Sequence, residues 1–433
     1  MENRRSSLYR VDFKMLMLYA IVLHPVIVGR FAMICYLLLY GGALLYLVIN
    51  VGFPLTLFKR MNKGTNVALT FSVCMIAFAA LYPIIRGTGD MSYIGVTLAV
   101  FRKLLLLFFL ITYTRIHHGA EKCLPLFLYY YALSSCLYVS FTIILLVVPR
   151  LKSFWQDLIG RTEYLNQLYK TFGYSTRFGW SGFTGYRGTF DCSIALLFTL
   201  VLYADKNLKE NIRPLRFLMM TGCCFLGNVF YGRTGIIVSF FCLIVGLLIY
   251  RKLSVNVFFT GVIVIVFIIA VFAVLKNYIS IVNDMYVWAI KPVTALMTKG
   301  RTDNYSANHL FNDMIYMPEP KTLLFGDAMY TATDGLGAYY GHTDCGFMRQ
   351  ILFWGVGGCL FSYITTWISV RSLGNKFFKF EILSLFLFFV FEIKGEVFYE
   401  MIPLYILLGL LCAFNPCEEK ISCESEIKEI EYA

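Results

Sequence analysis

Apolar stretches long enough to cross a bilayer recur along almost the whole chain, and one long polar segment interrupts them. A transmembrane helix needs about 20 apolar residues. The pattern predicts about twelve such spans, at 12–28, 31–54, 65–85, 93–114, 124–149, 189–204, 217–231, 234–250, 257–275, 350–370, 378–394 and 398–414. The segment 276–349 is polar, aromatic and dotted with glycine. The sequence therefore predicts an all-α, polytopic membrane protein with one membrane domain over 1–433.

The composition agrees with this fold class. Apolar residues make up 59% of the chain, charged residues make up 15%, and the mean hydropathy is +0.69. Soluble domains carry roughly 25% charged residues. The net charge of +12 is attributed to basic loops that set topology, so no nucleic-acid partner is predicted. The thirteen cysteines are scattered without a CxxC pair, so no disulfide framework, metal site or other cofactor is predicted.

Lysine and arginine alternate between the short connections. The basic connections are the N-terminus and every second loop. Their cations are Arg4, Arg5 and Arg10 in the N-terminus; Lys59, Arg60 and Lys63 in the second loop; Arg115 and Lys122 in the fourth; Lys206, Lys209, Arg213 and Arg216 in the sixth; Arg251 and Lys252 in the eighth; and Arg371, Lys376 and Lys379 in the tenth. Basic loops stay on the cytoplasmic side, so both termini are predicted inside, including the acidic tail 415–433. Two long loops, 150–188 and 276–349, are then extracytoplasmic.

The first outer loop is basic, although extracytoplasmic loops usually avoid lysine and arginine. Its cations are Arg150, Lys152, Arg161, Lys170, Arg177 and Arg187, against Asp157 and Glu163. An anionic ligand would explain this excess, and arginines that bind lipid headgroups are the alternative. From Phe172 to Gly188 glycines alternate with aromatic residues, which favours the stacking of sugar rings on aromatic faces.

Three further cations lie in or beside apolar spans. Arg233, in the segment FYGRTGIIV, falls between two barely separated spans. A cation at mid-depth costs roughly 2.5–3.5 kcal/mol unless it is paired or faces water, and a simple turn with a snorkelling arginine is the alternative. Arg102 and Lys103 fall near the centre of the fourth span. Either they line a polar cavity or the helix begins later and they lie at its mouth.

Glu392, Glu396 and Glu400 follow one another at intervals of four residues. If the segment is helical, the three acids share a face. They could pair with the outer arginines, or they could bind a coupling cation as in a transporter. A third interpretation is an exposed turn between the last two spans, interrupted at Gly395.

The second outer loop ends close to the membrane with His342 and Asp344. Histidine is suited to proton transfer near neutral pH, and an acid two residues away could orient it or act itself. His309, further up the loop, is predicted to be structural.

These features together resemble the Wzy-type O-antigen polymerases and the related O-antigen ligases. The resemblance rests on the layout of spans and loops, on the glycine–arginine–threonine–glycine at 232–235, and on the segment GDA…HTDCGFMRQILFWGVGG. In that superfamily a loop histidine or aspartate, here His342 or Asp344, precedes a glycine pair at the head of the next helix, here among Gly355, Gly357 and Gly358.

A second motif of that superfamily, an arginine followed by ten residues and a glycine, is similar to Arg177 with Gly188. Arg301 in the second loop departs from this motif, because Asn312 stands where the glycine is expected and the nearest candidate, Gly326, is much further on. This departure weakens the assignment of a role to Arg301.

The resemblance implies a GT-C-like bundle in the bacterial cytoplasmic membrane that polymerises oligosaccharide repeat units linked to undecaprenyl diphosphate. A hydroxyl of one repeat unit attacks the anomeric carbon of another, and the lipid diphosphate leaves. Arginines would hold the diphosphate, in place of a metal ion. The implied residues are Arg177, Arg233, Arg301 and Arg187 for the diphosphate, His342 or Asp344 as the base, and Trp180, Tyr186 and Tyr340 for the sugars.

The implied partners are the two lipid-linked oligosaccharides, membrane lipids and a chain-length regulator protein. Two other functions stay open. An O-antigen ligase would transfer the polymer from the same donor to lipid A–core. A transporter or flippase of lipid-linked sugars would need coupling charges deep in several spans.

Overall fold

The structure is a computed structural model that describes residues 11–51, 63–160, 177–206, 208, 211–251, 309–332, 339–371 and 377–413, and the single positions 270, 274, 277 and 283. The predicted span 257–275 falls almost entirely outside the described residues. Arg301 and the predicted tail 415–433 also lie outside them.

Helices make up nearly all of the described part of the chain. They are α1 (Phe13–Leu23), α2 (Ala32–Tyr36), α3 (Gly42–Val51), α4 (Lys63–Arg86), α5 (Ser92–His118), α6 (Ala120–Val147), α7 (Pro149–Ile159), α8 (Gly185–Ala204), α9 (Pro214–Tyr231), α10 (Arg233–Ile249), α11 (Pro320–Phe325), α12 (Gly346–Arg371), α13 (Phe378–Lys394) and α14 (Phe398–Ala413). A π-helical turn, Leu37–Gly41, joins α2 to α3, and a second one spans Leu310–Met314. Short 3₁₀ turns lie at Gly29–Phe31 and Tyr340–His342.

Six described helical segments are long and apolar enough to cross a membrane. They are Ala32–Asn50, Asn66–Arg86, Ser92–His118, Ala120–Val147, Gly185–Ala204 and Gly346–Arg371, and the shorter apolar helices are Phe13–Leu23, Thr234–Ile249 and Phe398–Gly409. The prediction of an all-α polytopic membrane protein is confirmed at this level. Twelve spans and a GT-C-like architecture stay predictions.

Helix α8 is the buried centre of the bundle and packs against α6, α9, α10 and α13. Small residues allow this close packing, as they do between membrane helices generally. A Cβ atom on Gly227 of α9 would lie 2.6 Å from Val139 of α6, and Ser193 of α8 lies 3.1 Å from Ser239 of α10 through their hydroxyls. Helix α8 is therefore closely packed against its neighbouring helices.

Helix α12 is broken at Gly355, where φ is +75° and ψ is −179°. A Cβ atom there would lie 2.8 Å from the backbone nitrogen of Phe325, so only glycine fits. The break frees carbonyl groups that the second outer loop then satisfies. The backbone N–H groups of Asp327 and Ala328 donate to the carbonyls of Leu352 and Phe353, at 2.7 and 3.0 Å. The glycine segment at the head of the tenth predicted span thus docks the loop.

The same loop is tied to the α4–α5 turn. Arg86 donates to the carbonyl oxygen of Gly326 at 3.0 Å, and Asp90 accepts the backbone N–H groups of Tyr330 and Thr331 at 2.7 and 2.9 Å. The described part of the second loop contains only short helical turns, α11 and one isolated bridge between Thr331 and Tyr339.

The first outer loop contacts the segment that follows α1. The indole N–H of Trp180 donates to the carbonyl oxygen of His24, just beyond α1, at 2.7 Å. A Cβ atom on Gly29 would lie 2.8 Å from the carbonyl oxygen of Ile159 at the end of α7. The described parts of both predicted outer loops therefore meet helix ends on one side of the bundle, which we call the outer end.

Candidate functional site

The arginine–glycine motif of the first loop spans a tight hairpin and the first turn of α8. Strands β1 (Phe178–Gly179) and β2 (Gly182–Phe183) pair antiparallel, and the Arg177 carbonyl accepts the Thr184 N–H at 3.1 Å. A Cβ atom on Gly188 would lie 2.9 Å from the Tyr231 ring, so the glycine lets α8 start against the end of α9. The hairpin holds Arg177, which is half-buried, at the outer end.

Arg187 is anchored by two buried carboxylates. Its Nε lies 3.7 Å from Asp191, one turn further along α8, and 3.5 Å from Oε1 of Glu400 on α14. Its side chain is 54% exposed, whereas the carboxylates of Asp191 and Glu400 are 8% and 6% exposed. No described residue forms a hydrogen bond with its guanidinium group. The terminal nitrogens of Arg187 are therefore available to a ligand that reaches the outer end.

Glu400 also forms an ion pair with Lys103 of α5, through its other carboxylate oxygen. We call the four residues Lys103, Arg187, Asp191 and Glu400 the outer recess. Helix α5 begins at Ser92, so the alternative of a helix that starts after Lys103 is wrong, and Lys103 lies inside the bundle beside Glu400. Its neighbour Arg102 is exposed instead and donates to the Gly95 carbonyl at 3.2 Å.

Arg233 is the first residue of α10, directly after the break between α9 and α10. The glycine before it packs against α8, because a Cβ atom on Gly232 would lie 2.7 Å from the Thr189 hydroxyl. Thr189 follows Arg187 by two residues. The backbone of Arg233 is thus brought beside the first turns of α8, close to the outer recess.

The three glutamates of the α13–α14 region are buried rather than exposed, with 0%, 3% and 4% of Glu392, Glu396 and Glu400 accessible. The interpretation as an exposed turn is therefore wrong. The acids do not share one helix face either, because α13 ends at Lys394 and Gly395 is extended, with φ −169°. Tertiary contacts from several elements, and not one helix, gather them at the outer end.

Glu396 pairs with Arg349, a residue that the sequence analysis did not single out. Arg349 lies 3.2 Å from Glu396, is 8% exposed, and its guanidinium carbon lies 3.5 Å from the centre of the Tyr339 ring. The hydroxyls of Tyr93 and Tyr330 donate to the same carboxylate, each at 2.8 Å. Of the three alternatives for the glutamates, pairing with arginines is the one observed for Glu396 and Glu400.

Glu392 is held by neutral donors. The Gln350 side chain and the Tyr363 hydroxyl donate to one oxygen at 3.2 Å, and the Val397 N–H donates to the other at 2.7 Å. A Cβ atom on Gly346 would lie 2.6 Å from its carboxyl carbon. The start of α12 is therefore locked to the end of α13.

His342 and Asp344 lie exposed on either side of the buried Thr343, whose hydroxyl donates to the Met314 carbonyl at 2.9 Å. His342 has φ +52°, a conformation uncommon outside glycine. The charge of Asp344 acts on Lys394 at the end of α13, and so does the charge of Arg177 from the first loop. The predicted base segment and the predicted arginine segment are thus both within electrostatic range of Lys394.

His309 lies apart from this group and pairs with Asp313, one turn later, at 2.6 Å on an exposed part of the loop. The structural role of His309 stays a prediction.

The three aromatic residues predicted to bind sugars have protein partners. Tyr186 donates to the Phe391 carbonyl, Tyr340 donates to Asp327 at 3.0 Å, and Trp180 packs edge-on against Tyr138 with ring centres 5.0 Å apart. All three remain half-buried, so part of each ring is accessible. Burial, followed by the neighbouring Asp327 carboxylate, raises the pKa of Tyr340 to about 12.

Two buried polar residues, Asp191 of the outer recess and His24, were not predicted from the sequence. Asp191 follows Arg187 at helical spacing, which was a readable signal for an ion pair. His24 stacks on Tyr138 with ring centres 4.4 Å apart, and its Nε2 is buried without a hydrogen bond among the described residues. Nothing in the local sequence marks His24, because its neighbours come from distant helices.

No family model, no curated protein and no solved structure matches this chain. Within the described residues, no three His, Cys, Asp or Glu side chains are grouped so that they could hold a metal ion. The described residues of the outer end offer guanidinium and ammonium groups, carboxylates, an exposed histidine and aromatic faces.

Proposed function

We propose that this protein polymerises oligosaccharide repeat units linked to undecaprenyl diphosphate, at the outer face of the bacterial cytoplasmic membrane. The observation that carries the proposal is the state of Arg187. It is anchored on carboxylates through Nε and accessible at its terminal nitrogens, at the end of a membrane bundle where both long loops converge.

The first step is binding of the lipid diphosphate. A guanidinium fork matches two phosphate oxygens, and carboxylates behind it fix its direction without occupying the terminal nitrogens. Arg177 and Lys394 supply further positive charge on the side of the α13–α14 turn. Arg233, at the start of α10, is the third arginine of the proposed clamp.

The second step is the transfer itself. The bond between the anomeric carbon and the diphosphate oxygen breaks, and the acceptor hydroxyl forms the new glycosidic bond and loses its proton. The leaving diphosphate gains negative charge in the transition state, so the clamp stabilises that state more than the bound substrate. His342 or Asp344 would accept the proton, because both are exposed at the outer end.

The test is an activity assay with purified protein in lipid nanodiscs and synthetic diphosphate-lipid-linked repeat units, read as a ladder of products on a gel. The variant Arg187→Gln should lower the rate about 100-fold, the size of effect that loss of one transition-state donor has. Arg213→Gln is the matched control, because Arg213 is exposed before α9, remote from the outer recess. Normal ladders from Arg187→Gln would refute the proposed clamp.

The same donor chemistry would serve an O-antigen ligase. Deletion of the gene separates the two enzymes. A polymerase deletion leaves surface glycans that are one repeat unit long, whereas a ligase deletion removes surface polymer and lets lipid-linked chains accumulate. The chain-length regulator protein remains a predicted partner of the polymerase.

A transporter of lipid-linked sugars is the second candidate, and the ion pairs inside the bundle favour it. Lys103, Asp191 and Glu400 are charged groups in membrane-spanning helices, and such groups often carry coupling ions. Proteoliposomes with a fluorescent diphosphate-linked sugar lipid would test this candidate. Movement of the probe across the bilayer without any product ladder would favour transport over polymerisation.

A further inference from the structure

Lys103 is a buried cation that the proposed diphosphate clamp does not use. It lies on α5, roughly 16 Å along the helix from its first residue at 1.5 Å per residue, and its side chain is 13% exposed. A cation at such a depth is costly unless it is paired. Its partner is Glu400, which comes from α14, so the pair joins two helices that are distant in sequence.

Glu400 divides its two oxygens between two cations. Oε2 contacts the Lys103 ammonium group, and Oε1 lies 3.5 Å from Nε of Arg187. A buried carboxylate that loses one cation is drawn to the cation that remains. Without Lys103, Glu400 would therefore compete with an external anion for Arg187.

The charges of the outer recess lead to the same expectation. Lys103 and Arg187 are positive and Asp191 and Glu400 are negative, so the recess as a whole is neutral. Removal of the Lys103 charge would leave one excess negative charge beside the terminal nitrogens of Arg187. Both the competition of Glu400 for Arg187 and the repulsion by this excess negative charge would weaken the binding of an anion.

We propose that Lys103 is a positioning residue, which sets the affinity of the outer recess for a diphosphate group by keeping Glu400 from closing on Arg187. This inference rests on the proposed function, because it takes the diphosphate of a prenyl lipid as the ligand of Arg187. Lys103 itself does not touch the ligand.

The experiment measures binding of farnesyl diphosphate to the purified protein in nanodiscs by isothermal titration calorimetry at neutral pH, with uncharged farnesol as the ligand control. Lys103→Met should weaken binding about 10- to 100-fold. The double variant Lys103→Met with Glu400→Gln should bind within about threefold of the wild type, because the recess is neutral again.

A second ion pair with a buried carboxylate provides the control. Arg371 of α12 lies 2.7 Å from Glu381 of α13, whose side chain is 2% exposed, at the other ends of these helices. Arg371→Met also leaves a buried carboxylate without its cation, so it should cost stability while it leaves the affinity for farnesyl diphosphate unchanged. Equal weakening by Arg371→Met and Lys103→Met would overturn the proposal, since the effect would then be general destabilisation.

Two results separate the proposal from the function on which it rests. If the wild type binds farnesyl diphosphate, Arg187→Gln abolishes binding and Lys103→Met has no effect, then the role of Lys103 is overturned and the clamp stands. If the wild type binds farnesyl diphosphate no better than farnesol, both the role of Lys103 and the proposed diphosphate clamp are overturned. A double variant that binds as weakly as Lys103→Met would also contradict the proposal.

Discussion

Replacing Arg349 by methionine is predicted to loosen the attachment of the second outer loop to the bundle. Arg349 lies on α12, while its partners come from the α13–α14 turn and from the loop itself, so one guanidinium joins three parts of the chain. At the observed 3.2 Å to Glu396, an ion pair at an effective dielectric constant of about 20 attracts with about 5 kcal/mol. The contacts with the rings of Tyr330 and Tyr339 add about 0.5–2 kcal/mol each.

The net loss should be smaller than this sum. Methionine fills much of the space of the arginine stem, Glu396 keeps the hydroxyl bonds of Tyr93 and Tyr330, and the carboxylate can take up a proton. Breaking a buried ion pair from one side costs about 3–5 kcal/mol, and these compensations bring the expected loss to about 2–4 kcal/mol.

The assay is equilibrium unfolding of the purified protein in mixed micelles, followed by circular dichroism. The backbone N–H groups of Tyr330 and Thr331 donate to the Asp90 carboxylate. Their hydrogen exchange should accelerate in parallel with the loss of stability. The double variant Arg349→Met with Glu396→Gln should recover part of the loss, because no buried charge is then left alone. A loss below about 0.5 kcal/mol, or two single losses that simply add in the double variant, would refute the reasoning.

Three further predictions concern the second loop. Gly355→Ala should destabilise the protein by about 1–3 kcal/mol in the same unfolding assay, because φ is +75° there. Gly357→Ala is the control and should change the free energy of unfolding little, because a Cβ atom on Gly357 meets nothing within 4 Å. The raised pKa of Tyr340 means that its neutral form contributes to the free energy of unfolding fully below about pH 10. This contribution is lost as the pH rises through about 12. Tyr340→Phe should remove that loss from the pH dependence of the free energy of unfolding. His342→Ala should lower the polymerisation rate about 100-fold if His342 is the base, while His309→Ala should leave it normal, and equal rates for both variants would exclude this role.

The positions of several helices along the chain were readable from the sequence. The predicted span 378–394 coincides with α13, and the predicted span 93–114 lies within α5. Such spans are local properties, because the bilayer requires a continuous apolar stretch whose backbone bonds close within the segment. The importance of glycine around 355 was also predicted, although its reason, the docking of the loop on a broken helix, was not.

The partners of the buried charges were decided by the tertiary structure alone. Lys103 and Glu400 are separated by 297 residues, and nothing in the sequence around either one names the other. The same holds for Arg349, which became visible only when α12 was placed beside the α13–α14 turn. Burial and ion pairing depend on which helices become neighbours, and hydrophobic pattern does not specify that. The sequence thus determined that charges enter the membrane domain, and packing determined which of them neutralise one another and which, like Arg187, face outward to a ligand.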